Sequence, residues 1–576
     1  MKPQRPCLLA RSALNQYRQR DVVSYLGLRY LLENQAAKTE RWASEMSVEN
    51  LTKRSGAPYY HVRHFKGMSE GGTIEYREIF LPTPQEALAE CAIIDAVHER
   101  LGNFPHRSVY SYLPPSKDDA CGPFARYFPG LKRRQEEIAK ACLAYPEGIV
   151  QYVDVRKCYP SISIEVAMCA WDRVVCEGGI PEHFAEAGRR ILNDYGKISQ
   201  PEGRGLLTGP VFSHLIANAV LYGIDLEFSA REGIAYLRYV DDMVLIGDAD
   251  TVSQAVEDLS SRLSSLGLTL HDQDSGKNFR ITTKNWLEAK DDFAETLISR
   301  KWMESVGGLK RRLVVFPQET ETIRKRLQEL GFRLPLLDYS GVIQERNFMD
   351  RVRVILAFKW LSRSDKVPSL RQIESNFQAM RYFLEQEFSR IVDQVDFTNV
   401  WQKKRHLPKL RYVFGRLLFL SDEATLAKCS ERLKGLPEMH FHVEMAQVLV
   451  SKDIVRILPM GANAAQAAAQ LFRSAGINSV EVPQVHEETS MHAMAIFALN
   501  GIELVGGPKD PSDFLRFAMH GPKQEDFFHP EPFLSELFSL HGLTEIARHA
   551  DLLATAFDPS EELTFDAVEQ FKGSMS

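Results

Sequence analysis

Three short apolar runs interrupt helical periodicity in the middle of the chain. "GIVQYVDV", Gly148 to Val155, is rich in Val, Ile and Tyr and predicts a buried strand. "YLRYVDDMVLIG", Tyr236 to Gly247, is two such runs around two adjacent aspartates and predicts a hairpin. Before the first strand, a helix is predicted from Leu131 to about Ala144. Between strand and hairpin, apolar positions recur at helical spacing over about Ser163 to Cys176. They recur again over "SHLIANAVLYGIDLEF", with Ser213 in its first turn. After the hairpin, "DTVSQAVEDLSSRLSSLGL" predicts an amphipathic helix that stops at Gly267. Strand, helix, helix, hairpin, helix, strand in this order predicts an α+β fold, an antiparallel sheet with helices on one face.

The flanks differ in texture. The first hundred residues read as mostly helical, with strands and turns in "KRSGAPYYHVRHFKGMSEGGTIEYREIFLP". Beyond about Pro317 helical patterns dominate, with breaks expected at Pro335, Pro408, Pro437 and Pro459. No clean internal period is found, so residues 318–576 predict a mainly α-helical, loosely repeat-like region. The acidic, polar tail from Phe557 is expected to be disordered.

Composition narrows this picture. At 576 residues the chain exceeds one ordinary domain. With 44% apolar and 25% charged residues it has the make-up of a globular protein with real cores. No apolar run approaches the roughly 20 residues that span a bilayer, so no membrane association is expected. The basic start, "MKPQRPCLLARSALNQYRQR", reads as the first helix of a soluble protein or as an organelle transit peptide. Eight cysteines without a CxxC pair suggest reduced thiols and a cytoplasmic location. A net charge of −6 argues against indiscriminate nucleic-acid coating, so any such contact must come from local basic patches.

The aspartates of the hairpin are where chemistry enters. Two bare carboxylates among Tyr, Val, Leu and Ile are costly unless a cation or hydrogen bonds satisfy them. "DD" by itself also reads as a solvated turn, and Asp154 by itself as a turn or cap residue. Together, carboxylates on adjacent strands suit two Mg²⁺ ions about 4 Å apart. Mn²⁺ is a substitute, and substrate phosphates would complete the coordination. Asp154, Val155, Asp241 and Asp242 form the candidate metal set, with Asp241 as the direct ligand ahead of Asp242.

"YVDD" in an apolar hairpin resembles the catalytic signature of reverse transcriptases, and other motifs of that family follow in order. "DVRKCYPSI" resembles the first palm motif, "GLLTGPVFSHLIAN" the second and "LGLTLHDQDSGKNF" the fourth. The chain departs at Leu207–Thr208, where Pro-Gln is usual, and at His214, where Pro is usual. It also lacks a clear primer-grip motif. The resemblance implies an RNA-directed DNA polymerase with a right-hand fold. Residues 1–147 would be N-terminal and fingers, 148–285 palm, 286–317 a thumb-like connection and 318–576 a helical C-terminal domain. It implies Tyr159 as a steric gate against the 2′-hydroxyl, a core aromatic being the other reading. Gly205, Gly209 and Ser213 would let backbone approach the incoming nucleotide, and Asn218 would fix helix geometry. Arg156 and Lys157 lie in the first motif and would face substrate. Lys277 would supply charge or a proton to pyrophosphate, or else is a solvated lysine. Arg126, Arg133 and Arg134 read as a fingers clamp on the triphosphate or as a solvated helix face.

The motif variant and the long helical half resemble the abortive-infection, defence-associated branch of bacterial reverse transcriptases. That implies a bacterial, cytoplasmic enzyme of antiphage defence that takes dNTPs and yields DNA, with a homo-oligomeric assembly. A non-coding RNA template, a partner reverse transcriptase or a protein primer are implied as partners. A retron or mobile-element enzyme copying a dedicated RNA, or a palm-fold nucleotidyl cyclase, are the alternatives. "WQKKRHLPKLRYVFGR", Trp401 to Arg416, interleaves cations and rings as a single-strand groove would, through Lys403, Lys404 and Arg405. The same residues equally suit a helix pair with snorkelling basic side chains. Lys310 and Arg311 in "GLKRRL" read likewise as duplex-backbone contacts or as a solvated face. His440, His442 and Glu444 would share a face only on a strand, and the pattern there is helical, so a metal site is not expected.

Overall fold

The computed structural model describes residues 5–18, 21–34, 58–69, 71–102, 104–115, 122–198, 200, 203–273, 276–289, 297–336, 367–544 and 548–554. The polar tail from Phe557 lies outside the described residues. Helices Arg5–Arg18 and Val22–Glu33 open the fold, the second capped by Asp21, whose Oδ1 accepts from Val23 N at 2.8 Å. An antiparallel pair follows, β1 (Tyr59–Met68) and β2 (Ile74–Pro82). Helix Pro84–Arg100 starts on a Thr83 cap with Pro in its first turn, the arrangement that suits a helix N-terminus.

The central sheet is four antiparallel strands in the order β4 (Ile234–Tyr239), β5 (Asp242–Gly247), β3 (Ile149–Asp154) and β6 (Phe279–Thr282). Alternation along each strand divides its side chains between two faces. Val153, Met243, Leu245 and Tyr236 point to one face, against helices Val211–Ser229 and Ala249–Ser265. Val150, Tyr152, Val244, Ile246, Leu237, Phe279 and Ile281 point to the other, onto Ile138, Cys142 and Trp286 of helices Tyr127–Ala144 and Thr283–Ala289. The expectation of helices on one face is therefore corrected: both faces are covered. That is why every residue of β5 is buried and its sequence is an unbroken apolar run after Asp242.

Three further differences from expectation have physical causes. A helix Glu182–Lys197, carrying strong amphipathic periodicity, packs between Ile164–Gly178 and Pro84–Arg100. The 19-residue helix Val211–Ser229 is long and apolar enough to cross a bilayer by composition. Here it is a core helix lying under the sheet, with the carboxylate of Asp225 bonded inside. Pro408 does not break its helix but lies inside Val400–Leu420, removing the amide that would bond the Lys404 carbonyl.

The C-terminal part is mostly helical but holds a parallel pair, β7 (Ser479–Val482) and β8 (Glu503–Gly506), joined through helix Glu488–Leu499. It folds back onto the N-terminal hairpin. Asn463, in helix Ala462–Ala475, accepts from Phe65 N at 2.9 Å and donates to Phe65 O at 3.2 Å. Tyr76 Oη donates to Pro459 O at 2.7 Å, and Tyr60 stacks on Phe533 at 5.1 Å.

Candidate active site

β3 and β5 pair so that Asp154 lies opposite Asp242, with Asp241 in the turn between β4 and β5. That turn is two residues long, and its first, Val240, has φ 57°. A β-branched residue in the left-handed region is strained and persists only where its surroundings over-determine it. Here Val240 N donates to Ser111 Oγ at 2.7 Å, and Arg238 Nη1 donates to Val240 O at 2.8 Å. Arg238 is fully buried and forks onto Asp225, with Nε–Oδ1 at 2.7 Å and Nη2–Oδ2 at 2.6 Å. Its Nη1 also donates to Asn218 Oδ1 at 3.1 Å, and Tyr236 Oη donates to Asp225 Oδ1 at 3.1 Å. Asn218 thus ties the hairpin tip to helix Val211–Ser229. The arginine inside an apolar strand was the sequence signal for this network.

The three aspartates meet different surroundings. Asp242 is held by Arg134, buried on helix Tyr127–Ala144, with Nη2–Oδ1 at 3.0 Å and Nη1–Oδ2 at 3.2 Å. Asp154 Oδ1 receives Lys277 Nζ at 3.1 Å and His271 Nε2 at 3.2 Å. The loop carrying both is docked by His271 N to Asp154 O at 2.9 Å and Arg156 N to Thr269 O at 2.8 Å. Asp241 Oδ1 is buried and finds no hydrogen-bond partner. Burial, then the neighbouring Asp154, pushes the Asp241 carboxyl up to about 7. Burial also lifts Asp154 to about 6, with Lys277 opposing and Asp242 adding to the rise. Burial and the nearby Lys277 and Arg156 push His271 down to about 4, so it serves Asp154 as a neutral imidazole near pH 7.

These donors fit a hard cation in part. An orphaned carboxylate oxygen beside a second carboxylate is what such an ion would satisfy. Among the described residues no three His, Cys, Asp or Glu side chains converge to enclose an ion unaided. Asp242 differs from the other two in that both of its oxygens already take a donor from Arg134. Arg134, expected as a triphosphate clamp or a solvated helix face, is instead its buried partner. Asp154 and Asp241 remain the pair that would hold metal.

Tyr159 Oη lies 2.5 Å from His214 Nδ1, and His214 stacks on Tyr112 with centroids 3.9 Å apart. His214, where the family resemblance departs, thus fixes the Tyr159 ring. Gly205 is required because a Cβ there would stand 2.2 Å from Pro160 O. Gly209 has φ 120° and a Cβ there would stand 2.6 Å from Phe80 O. Both close approaches are to this protein's own backbone. Ser213 is fully buried in the first turn of its helix, inside the core. Arg156 and Lys157 are exposed beside the strand end, and Lys157 has φ 46°. Arg126 is exposed before helix Tyr127–Ala144, and Arg133 lies over the Tyr110 ring at 5.4 Å.

The basic segments divide. Lys403 pairs with Glu438 at 2.5 Å, and Lys409 with Glu387 at 2.7 Å. Arg416 is fully buried, 3.9 Å from the Tyr412 ring centroid. Trp401 to Arg416 is therefore largely an internal helix rather than an open groove, with Arg405 half-buried on it. Lys404 stands apart: its Nζ lies 4.2 Å from the Phe279 ring centroid and 4.8 Å from that of Tyr152. Lys310 is half-buried and Arg311 exposed on helix Leu297–Val315. His440, His442 and Glu444 fall on helix His440–Ser451 and do not form a metal cluster.

No protein-family model matches the chain, and no curated protein matches it. Among solved structures it is similar to apo telomerase from Candida tropicalis truncated from its C-terminal domain, at 12% identity and TM-score 0.27. That alignment covers 38% of this chain and 49% of that one, so the chain spans about half of that telomerase. It is also similar to telomerase from Candida albicans in complex with a TWJ fragment of telomeric RNA. There the identity is 11% and the TM-score 0.28, over 71% of this chain and 68% of that one. Likenesses this loose carry no argument.

Proposed function

We propose that the chain is a Mg²⁺-dependent nucleotidyltransferase of reverse-transcriptase type that joins dNTPs into DNA. The observation that supports this most is the buried, partnerless Asp241 oxygen beside Asp154, at the end of an antiparallel sheet carrying the ordered motifs. In the proposed reaction a 3′-hydroxyl oxygen bonds to the α-phosphorus of a dNTP. The bond from that phosphorus to the oxygen bridging it to the β-phosphate breaks, pyrophosphate leaves with that bond's electron pair, and the hydroxyl proton passes to water. Bound Mg²⁺ would polarise the phosphate and lower the hydroxyl's pKa. Asp154 and Asp241 would hold the cation. Lys277 stands by the departing phosphates, as the donor that balances their charge. Tyr159, braced by His214, presents its ring where a 2′-hydroxyl would sit. An RNA template and bacterial antiphage defence are part of the same proposal, supported by the motif variant and the helical C-terminal half.

The test is incubation of the purified protein with Mg²⁺ and dNTPs, with and without its co-purified RNA, followed by sequencing of products. DNA that depends on Mg²⁺ and on Asp241 is expected. A cyclic nucleotide instead of a polymer, or synthesis unchanged in Asp241→Asn, would overturn the reading.

A further inference from the structure

Lys404 comes from helix Val400–Leu420, more than a hundred residues beyond the last strand of the central sheet. Its ammonium nevertheless lies on that sheet. It sits over the stacked rings of Tyr152 and Phe279, which are 4.8 Å apart and 6° from parallel. Tyr152 is two residues before Asp154 on the same face, and that face also carries Asp242. Among the described residues Nζ also reaches Gly276 O, at 3.5 Å, beside Lys277. Among the described residues no carboxylate pairs with Lys404. Asp242 and Asp154 draw on its charge from a distance, while Arg134 and Lys277 oppose it.

Three cations thus gather around the carboxylate centre, and only two are matched by direct ion pairs, Arg134 with Asp242 and Lys277 with Asp154. Lys404 alone has no direct counter-ion, so its partly desolvated charge can be met by an anion that enters the site. The aromatic pair makes the third tolerable, since ring faces attract an ammonium. A lysine on a flexible stem is a point charge with three donors, suited to phosphate oxygens that shift during a reaction. Burial pushes its ammonium down to about 8, close to release but still charged at neutral pH.

We infer that Lys404 is a phosphate-contact residue of this site, binding the β- or γ-phosphate of the incoming nucleotide, so that the C-terminal helical part completes the site in cis. The inference rests on the nucleotidyl-transfer reading for the identity of the nucleotide, but its phosphate contact can be tested alone. The full-length protein, Lys404→Met and Lys404→Arg are titrated with Mg²⁺-tripolyphosphate by calorimetry, and dNTP incorporation is measured in parallel. Met keeps the aliphatic packing on the rings and removes the charge. Lys404→Met is expected to weaken tripolyphosphate binding by about tenfold or more, the loss of one charge-assisted contact. Its KM for dNTP should rise by a similar factor, with kcat less affected, and Lys404→Arg should recover most of both. Equal tripolyphosphate affinity in wild type and Lys404→Met, or no binding by wild type at millimolar concentration, overturns the inference. Binding that depends on Lys404 in a protein that makes no polymer supports the phosphate contact and sinks the polymerase reading instead. Should Lys404→Met fail to fold, Lys404→Gln, polar and neutral, serves with the same outcomes.

Discussion

Asp241 bears a cost that its neighbours do not. Asp242 is offset by Arg134 and Asp154 by Lys277, but Asp241 Oδ1 is buried with no donor. Asp241→Asn removes that charge, so the metal-free protein is expected to melt at the same temperature or higher while losing activity. Mg²⁺ should raise the melting temperature of wild type by mass action and leave that of Asp241→Asn unmoved. Incorporation should fall by roughly 10²–10³-fold or more, the scale of losing a preorganised charge at a reacting centre. Equal Mg²⁺ stabilisation of both proteins would remove Asp241 from the proposed metal site. Tyr159 separates ring from hydroxyl. If its ring excludes a 2′-hydroxyl, Tyr159→Ala should lower the dNTP-to-rNTP preference by about tenfold or more, as loss of a built-in clash does. Tyr159→Phe removes the hydroxyl's bonds to His214 and Tyr112 and should keep most of that preference. A drop in both would assign selectivity to the hydroxyl and its histidine.

The elements that carry these side chains were unevenly legible. β3 and the β4–β5 hairpin could be read because Val, Ile and Tyr cluster in short runs bounded by turn residues. Two-sided burial of β5 is written in "DMVLIG", yet which helix covers the second face is not, since an amphipathic stripe does not name its partner. Arg134 was accordingly visible only as one cation among several. Arg238 was a clearer signal, an arginine in a buried strand that must find an acid. Removing one partner of such a pair typically costs about 3–5 kcal/mol. Arg238→Met should therefore destabilise strongly in denaturant titration, and Arg238→Met with Asp225→Leu should recover part of the loss. No recovery in the double variant would show that the strained turn, rather than the ion pair, needs the guanidinium. Glu90 does comparable work between two helices. Pro210 offers no side-chain cap to helix Val211–Ser229, and Glu90 Oε2 accepts from Phe212 N at 3.1 Å instead. Burial pushes Glu90 up to about 8, above the ordinary 4.5. The folded state then keeps a proton that the unfolded chain releases, so this contribution is complete below about pH 4.5 and is lost as pH rises towards 8. Glu90→Gln should flatten the fall in melting temperature between pH 5 and 8, and parallel profiles would refute that assignment.

At the scale of the whole molecule, the C-terminal half reaches the site by two routes. One is Lys404 itself. The other runs through the hairpin β1–β2: Asn463 clasps the Phe65 backbone, and Phe80 N donates to Thr208 O at 2.8 Å. Thr208 precedes Gly209, and the same loop places Gly205 against Pro160 and Ile162, next to Tyr159. The second route was not legible in the sequence, because a single asparagine in an alanine-rich helix carries no mark of a partner four hundred residues away. Asn463→Ala would remove the side chain that bonds both backbone polar groups of Phe65, at about 1–3 kcal/mol for each group that is not paired again. Hydrogen exchange should then quicken first in β1, and next in the 203–209 loop if the route is mechanical. Loss of protection confined to β1 would mean that the hairpin absorbs the change. In that case coupling between the helical half and the carboxylates would fall to Lys404 alone, and Asn463→Ala should leave the KM for dNTP where it was while Lys404→Met raises it.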